Sequence, residues 1–260
     1  LTLPSVGATE NAILAACGAE GTTIISNAAR EPEIVDLQDF LQKLGADVHG
    51  AGTSTITVLG GGVRRGCVHR CIGDRIAAAT YLCAAAAAGG QVTLRGVDYR
   101  HLATVTTALG QAGCRLQCTE DSITLESDGR LRAIPPVRTS PYPGFPTDAQ
   151  APLMAALLRS EGAVMFVENM FDSRYRHVPE LVRMGADIRL EGRVAVVYGT
   201  RELHGAAVRC TDLRGGAALA IAALQTPDAT LIHEIYHIQR GYQDMAGDLR
   251  ALGADAAVEE

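Results

Sequence analysis

Leu44-Gly45-Ala46-Asp47 is the first of four similar stretches that recur along this chain of 260 residues. The other three are Ala112-Gly113-Cys114-Arg115, Met184-Gly185-Ala186-Asp187 and Leu252-Gly253-Ala254-Asp255. Each follows a segment with one apolar stripe, and its glycine suits the left-handed position that closes a helix. The glycines are 68, 72 and 68 residues apart, so the sequence predicts four copies of one structural unit.

Each unit is predicted to begin with a helix that is apolar on nearly every side, and a helix without a polar face is buried. A strand, a loop, the amphipathic helix and a β-hairpin follow. The first helices are predicted at Thr9–Ala19, Asp74–Ala88, Asp148–Arg159 and Asp212–Leu224. The strands after them are predicted at Thr22–Ser26, Gln91–Arg95, Val164–Glu168 and Thr230–Glu234, and the hairpins at Asp47–Val58, Arg115–Glu126 and Ile188–Tyr198.

The repeat predicts an α/β (α+β) fold of stacked βαβαββ units with buried first helices and outer sheets. With three units to a domain, residues 1–72 are the last unit of one domain and residues 73–260 form a second domain of three units. The fourth hairpin lacks its second strand, and we expect a missing N-terminal part of the same protein to supply it. Parallel first helices would direct their N-termini, which favour anions, toward a common cleft.

Composition excludes several classes of protein. The net charge of −6 disfavours a nucleic-acid surface. No apolar run approaches the roughly 20 residues of a membrane span, and no secretory signal is present. The seven cysteines are not spaced as in a small disulfide scaffold, so we predict reduced thiols and a cytoplasmic protein without membrane partners.

One cluster of metal-ligand residue types occurs in Cys67-Val68-His69-Arg70-Cys71. A structural zinc site takes four ligands, and the neighbouring sequence supplies no fourth. We therefore interpret the cluster as coincidental and predict neither a metal site nor a cofactor.

The segment Ser140–Gln150 contains three prolines, which exclude a helix before Asp148. An apolar run follows, and Asp is a preferred N-cap residue, so the local pattern predicts that Asp148 caps a helix. Asp74 and Asp212 hold the same place in sister units, so capping would be a shared role of this position.

Six blocks of the sequence, in order along nearly the whole chain, resemble motifs of UDP-N-acetylglucosamine enolpyruvyl transferases, the MurA family. The blocks are Leu3–Asn11, Ala28–Leu37, Tyr142–Asp148, Phe171–Val178, Ala206–Arg214 and Ile235–Tyr242. The resemblance implies two domains of three βαβαββ units each, the inside-out α/β barrel of the enolpyruvyl transferase fold.

The resemblance also implies a reaction, the transfer of the enolpyruvyl group from phosphoenolpyruvate (PEP) to the 3′-hydroxyl of UDP-N-acetylglucosamine with release of phosphate. This is the first committed step of peptidoglycan precursor synthesis, and hence of cell wall biogenesis, cell shape and cell division.

Candidate site residues follow from the matching blocks. Asp148 matches an aspartate beside the attacking sugar hydroxyl, which implies general-base work. Arg174 and Arg240 match arginines that face the PEP phosphate and carboxylate, because planar guanidinium groups suit both anions. The remaining predicted substrate-binding residues are Ser5, Val6, Gly7, Met170, Asp212 and Arg214.

Some family features are missing. The loop cysteine that often protonates PEP and a Lys-Asn pair lie upstream of Leu1 in the family's order, so we expect the chain alone to be inactive. Gln239 stands where Asp usually precedes the arginine, and Gly215-Gly216 weakens a helix start by roughly 1 kcal/mol per Gly. Two alternatives therefore stay open: 3-phosphoshikimate 1-carboxyvinyltransferase, and a non-catalytic homologue that binds a nucleotide sugar.

Overall fold

A computed structural model describes residues 1–259 of the chain. The residues divide into two compact units. Unit 1 consists of Leu1–Gly73 and Pro141–Gly144, and unit 2 consists of Asp74–Ser140 and the chain from Phe145 onward. Among the described residues, no helix has both the length and the apolar character needed to cross a bilayer.

Unit 1 contains two helices and one antiparallel sheet. Its elements are α1 (Val6–Gly18), β1 (Thr22–Ser26), α2 (Pro32–Lys43), β2 (Asp47–His49) and β3 (Thr55–Leu59), with strand order β1-β3-β2. Ile13 of α1, Ile34 of α2 and Ile56 of β3 are fully buried in its core. The prediction of an all-round buried first helix is wrong for α1, because Leu14 is 51% exposed; among the described residues, the helix packs mainly against the sheet and α2.

Unit 2 contains seven α-helices and nine strands among the described residues. Its first half comprises α3 (Arg75–Ala88), β4 (Gly90–Arg95), a 3₁₀ turn (Tyr99–Leu102), α4 (Ala103–Ala112), β5 (Arg115–Cys118), β6 (Ser122–Ser127), β7 (Val137–Arg138) and α5 (Thr147–Ala156). Its second half comprises β8 (Ala163–Val167), α6 (Val178–Arg183), β9 (Asp187–Glu191), β10 (Val194–Tyr198), β11 (Ala207–Arg209), α7 (Leu213–Ala223), β12 (Leu231–His233), α8 (Tyr236–Gln239) and α9 (Met245–Ala251).

The strands of unit 2 form three sheets, with orders β4-β6-β5, β7-β8-β10-β9 and β11-β12. The three predicted hairpins of the chain are confirmed as β2-β3, β5-β6 and β9-β10, all antiparallel. The four repeat glycines all adopt the left-handed backbone conformation. Their φ angles are 90° at Gly45, 115° at Gly113, 95° at Gly185 and 99° at Gly253. The predicted helix endings are therefore correct.

The predicted buried helices of unit 2 are confirmed. Helices α3, α5 and α7 pack against one another, and most of their residues are buried. Helices α5 and α7 run parallel. Asp148 and Arg214 lie together at their starts, and at their other ends the side chain of Gln225, just after α7, donates to the carbonyl of Ala155 in the last turn of α5 at 2.8 Å. These three helices of unit 2 thus lie inside and the sheets outside, although the described strands do not close into one barrel.

Two short strands were not predicted. Strand β7 precedes α5 and pairs in parallel with β8, and β11 precedes α7 and pairs in parallel with β12. The path β7-α5-β8-α6-β9-β10 is therefore a complete βαβαββ unit. Strands of two or three residues leave too short a pattern to be recognised in sequence. After α9, residues 252–259 contain no strand.

Candidate functional site

Asp148 lies at the start of α5, and its predicted role as N-cap is wrong. Helix α5 begins at Thr147, so Pro146 occupies the cap position and Asp148 is the second helical residue. Its carboxylate accepts a hydrogen bond from the Arg174 guanidinium and lies 3.9 Å from Nη2 of Arg214. The side chain is 43% exposed, so a ligand can reach it.

Asp212, by contrast, caps α7 as predicted. Its Oδ1 accepts from the Gly215 amide at 2.8 Å, and its Oδ2 accepts from the Thr211 hydroxyl at 3.2 Å. Asp74 caps α3 in the same way, with its carboxylate accepting from the Ile76 and Ala77 amides. The side chain of Asp212 therefore caps α7. The residue also belongs to one of the blocks that predict substrate binding.

Arg174 comes from the loop between β8 and α6. Its guanidinium carbon lies 5.4 Å from the centre of the Phe171 ring, a cation–π arrangement that holds the side chain beside Asp148. The side chain is 21% exposed. It can therefore hold an anion while remaining largely shielded from water, which strengthens charged contacts.

Glu168 anchors that loop, and the sequence did not single it out. Its fully buried carboxylate accepts from the hydroxyls of Thr139 and Thr147 at 2.9 Å each, and from the amides of Met170 at 2.8 Å and Phe171 at 3.1 Å. These four donors satisfy the buried oxygens of the side chain. The Met170 amide is consequently occupied and is not available to a ligand.

Arg214 is the second residue of α7 and is held by Tyr242. Its Nη1 donates to the Tyr242 hydroxyl at 3.0 Å, and that hydroxyl lies 2.7 Å from Oγ1 of Thr80 in α3. The arginine side chain is only 12% exposed, and its buried Nε has no hydrogen-bond partner among the described residues. Nothing in the local sequence around Tyr242 indicates this contact, because its partners are remote in the chain.

His177 lies directly behind the site. It is fully buried, and neither ring nitrogen makes a hydrogen bond of normal geometry, so it is a packing residue. Its pKa is lowered to about 4, chiefly by burial; the negative charge of Asp212 opposes the shift, and the positive charge of Arg174 adds to it. The imidazole is therefore neutral at pH 7.

Arg240 is not part of the cluster formed by Asp148, Arg174 and Arg214. It is the residue that follows α8 and is exposed, and within residues 1–259 its side chain makes no hydrogen bond or ion pair. Its neighbour Gly241 packs so closely on Leu213 that a Cβ there would lie 2.9 Å from Cδ2 of Leu213. Arg240 thus lies near the start of α7 with its charge unused.

Ser5, Val6 and Gly7 form the start of α1 in unit 1. The Ser5 hydroxyl caps the helix by accepting from the Ala8 amide at 3.4 Å. A Cβ on Gly7 would meet nothing within 4 Å, so this surface is open. The buried Thr9 hydroxyl accepts from the Ala29 amide at 3.0 Å and fixes the helix start against the following loop.

The site in unit 2 suits an anion. Two guanidinium groups face one carboxylate, and the starts of α5 and α7 add partial positive charge. A buried guanidinium N–H without a partner is costly, and a phosphate or carboxylate oxygen would satisfy it.

Comparisons with known proteins show the family of the chain. A family model described as EPSP synthase (3-phosphoshikimate 1-carboxyvinyltransferase) matches residues 1–249. UDP-N-acetylglucosamine 1-carboxyvinyltransferase from Zymomonas mobilis is 48% identical over 251 residues, which cover 96% of this chain and 59% of that relative. UDP-N-acetylglucosamine 1-carboxyvinyltransferase 1 from Symbiobacterium thermophilum is 49% identical over 254 residues, 98% of this chain and 57% of that relative. The chain thus spans about three fifths of the length of these relatives.

Solved structures show the same fold. The enolpyruvyl transferase NikO from Streptomyces tendae superimposes with a TM-score of 0.88 at 30% identity, covering 98% of this chain and 61% of that one. EPSP synthase from Acinetobacter baumannii gives a TM-score of 0.75 at 21% identity, over 100% of this chain and 63% of that one, which supports the fold alone. Because the family model extends over nearly the whole sequence, this chain belongs to the EPSP synthase family of enolpyruvyl transferases.

Proposed function

We propose that this chain is the C-terminal portion of an enzyme that transfers the enolpyruvyl group of PEP to the 3′-hydroxyl of UDP-N-acetylglucosamine and releases phosphate. The curated relatives named for this acceptor, at 45–49% identity, favour it over 3-phosphoshikimate. The reaction would belong to cytoplasmic peptidoglycan precursor synthesis, and so to cell wall growth and division. In this assignment, residues 1–72 end the N-terminal domain and residues 73–260 form the C-terminal domain.

The observation that carries the proposal is the cluster of Asp148, Arg174 and Arg214. Arg214 is nearly buried, is oriented by Tyr242 and keeps an unpaired Nε. The two arginines would bind the phosphate and carboxylate of PEP and stabilise the charge of the tetrahedral intermediate. Arg240, whose side chain has no partner within residues 1–259, would join them when the anion is bound.

Asp148 would be the general base. Its carboxylate faces two guanidinium groups and is 43% exposed, so a sugar hydroxyl can come within hydrogen-bond reach of it. An anion that binds Arg174 would draw this guanidinium away from Asp148, so substrate binding itself would release the base for the sugar hydroxyl. Proton removal by a positioned carboxylate accelerates such a step by typically 10²–10⁴-fold.

Ser5, Val6 and Gly7 would contact the nucleotide part of the acceptor. The open surface at Gly7 lets the backbone of α1 approach a diphosphate closely. Met170 would act through its carbonyl or side chain, because its amide is bound to Glu168. Asp212 would keep the start of α7, and therefore Arg214, in position.

The test is ligand contact measured by saturation-transfer NMR on the 260-residue chain. We expect signals from UDP-N-acetylglucosamine and none from shikimate 3-phosphate; contact with shikimate 3-phosphate alone would end this proposal. Arg214→Gln should abolish contact with PEP, while the exposed Arg189→Gln, whose guanidinium lies on Tyr198 away from the site, should retain it.

Turnover is the second readout. We expect no phosphate release from the 260-residue chain alone, because the matching blocks do not include the family's loop cysteine or Lys-Asn pair. Turnover by this chain would contradict that expectation. Binding of the acceptor by a full-length protein that lacks those residues and does not turn over would favour the non-catalytic homologue.

A further inference from the structure

A second cluster of reactive side chains lies in unit 1, far in sequence from Asp148. Asp36 of α2 meets His69 and Cys71 of the segment that follows β3, and one ligand atom from each lies within 4.8 Å of the others. The His69 Nε2 is 3.0 Å from Oδ1 of Asp36. The helix thus supplies a ligand that the sequence around Cys67–Cys71 lacks.

The cluster is built into the fold. The His69 side chain is only 7% exposed and its ring packs against Phe40, with centroids 5.3 Å apart. The amides of Arg64 and Arg65 both donate to the Leu44 carbonyl, which holds the segment on the end of α2. Asp36, Phe40 and Lys43 are spaced along one face of this helix, so the contacts with His69 are set by helix geometry.

We propose that Asp36, His69 and Cys71 form a binding site for a zinc-type divalent cation. Carboxylate, imidazole and thiolate are all zinc ligands, with bonds of about 2.0–2.3 Å, so neighbouring ligand atoms in a tetrahedral site lie roughly 3.3–3.7 Å apart. The Asp36 and His69 atoms, now 3.0 Å apart in a hydrogen bond, would have to separate by only a few tenths of an ångström, and the exposed Cys71 can rotate its thiol inward. Water would complete the tetrahedron, since Cys67 is outside the cluster.

Lys43 competes with the metal. Its Nζ is 3.0 Å from Nδ1 of His69. An ammonium can only donate, so in the metal-free chain the imidazole carries its proton on Nε2 and donates it to Asp36. Binding a cation at Nε2 moves that proton to Nδ1 and displaces Lys43. The Cys71 thiol loses its proton as the metal–sulfur bond forms, so one proton is released per cation.

The bound cation would clip the segment after β3 to α2. This role is independent of the proposed transferase chemistry, because every ligand lies in unit 1 and none belongs to the cluster at Asp148. A binding result here therefore neither supports nor contradicts the proposed function.

The experiment is titration of the reduced 260-residue chain with Co²⁺ and then Zn²⁺. We expect one Co²⁺ per chain with a thiolate-to-cobalt charge-transfer band, which Zn²⁺ displaces. Cys71→Ser should remove the band and His69→Gln should weaken binding at least tenfold. The matched control Cys67→Ser, two residues before His69, should keep the band.

The Co²⁺ affinity of the Lys43→Met variant distinguishes a cation-binding site from a cluster that is held only by hydrogen bonds. Removing the competing ammonium should tighten Co²⁺ binding severalfold, whereas a purely structural hydrogen-bonded cluster would gain no metal affinity. The proposal is overturned by the absence of a charge-transfer band at a tenfold excess of Co²⁺, by a band that survives Cys71→Ser, or by a band lost in Cys67→Ser. Far-ultraviolet circular dichroism of each variant shows that the fold is retained.

Discussion

The starts of α5 and α7 derive from the same place in the repeat but use their aspartates differently. Helix α7 begins immediately after Asp212, so the carboxylate accepts from the Gly215 amide and caps the helix. Helix α5 begins one residue before Asp148, and the cap position belongs to Pro146. The carboxylate of Asp148 is therefore free of backbone bonds and pairs with arginines.

A shift of two positions in the helix start thus converts a structural residue into a candidate catalytic one. Pro146 has no side-chain oxygen that could cap the helix, and the Thr147 hydroxyl donates its hydrogen bond to Glu168. Helix α5 therefore has no side-chain N-cap, while the partial positive charge at its start still stabilises the carboxylate of Asp148. The difference shows that the role of an aspartate at a helix start depends on where the helix begins.

The largest expected effect concerns Asp148. In a full-length enzyme that contains this chain, Asp148→Asn should lower kcat by about 10²–10⁴-fold, because the base is lost while the side chain keeps its shape. The matched control is Asp74→Asn, in which Asn still caps α3, so kcat should stay within about twofold. Steady-state phosphate release measures both. Near-normal turnover of Asp148→Asn would remove this residue from the mechanism.

The second effect is a pH dependence of the free energy of unfolding, which originates at the buried His177. The folded pKa of His177 is about 4, below the ordinary 6.5, so between these values the unfolded chain binds a proton that the folded chain does not. Stability should therefore fall by about 3 kcal/mol as pH drops from 6.5 to 4.

Urea unfolding of the wild-type chain and of His177→Leu measures this contribution. The free energy of unfolding of the wild type minus that of the variant should fall as the pH drops across that range, because leucine does not titrate. A difference that is constant with pH would show that the imidazole is protonated equally in both states.

The third effect concerns the glycine that receives the cap of α7. A Cβ on Gly215 would lie 2.9 Å from Cβ of the fully buried His177, which cannot move away. Gly215→Ala should therefore destabilise unit 2 by about 1–3 kcal/mol through overpacking. In the first turn of α1, Gly7→Ala meets open space and should be neutral or slightly stabilising. Equal unfolding midpoints for the two variants would refute the packing argument.

The smallest expected effect is the difference in stability between alanine variants of the two aspartates. Asp212→Ala leaves the Gly215 amide without its acceptor and should cost about 1 kcal/mol. Asp148→Ala removes no cap, so only the helix-end charge effect and a partly exposed ion pair are lost, about 0.3–1 kcal/mol. Unfolding midpoints in urea rank the two. A larger loss for Asp148→Ala would mean that its carboxylate supports the fold after all.

Much of the architecture could be predicted because its signals are local. The four glycines, the three hairpins and the buried helices α3, α5 and α7 all follow from periodicity and turn chemistry within single segments. The order of the motif blocks also indicated the family correctly. The prediction was wrong where the local pattern allowed the helix to begin at two places, as at Asp148. It was also wrong where an apolar helix was assumed to be covered on every side, as for α1.

The candidate site was predicted only in part. Asp148, Arg174 and Arg214 were all selected, yet their mutual pairing was not, since their partners are 26 or more residues away. Tyr242 was not singled out for the same reason, and neither was Glu168, whose hydroxyl donors Thr139 and Thr147 are 29 and 21 residues away. Their hydrogen bonds join segments that only the packed core brings together.

By itself, then, the sequence determined the repeat, the helix endings and the residue types available for anion chemistry, because backbone propensity and amphipathic period act over a few residues. Only the tertiary structure decided which charges meet. It brought Arg174 and Arg214 to one carboxylate, and it brought Asp36 to His69 and Cys71. Such contacts depend on the packing of distant segments, which local pattern does not encode.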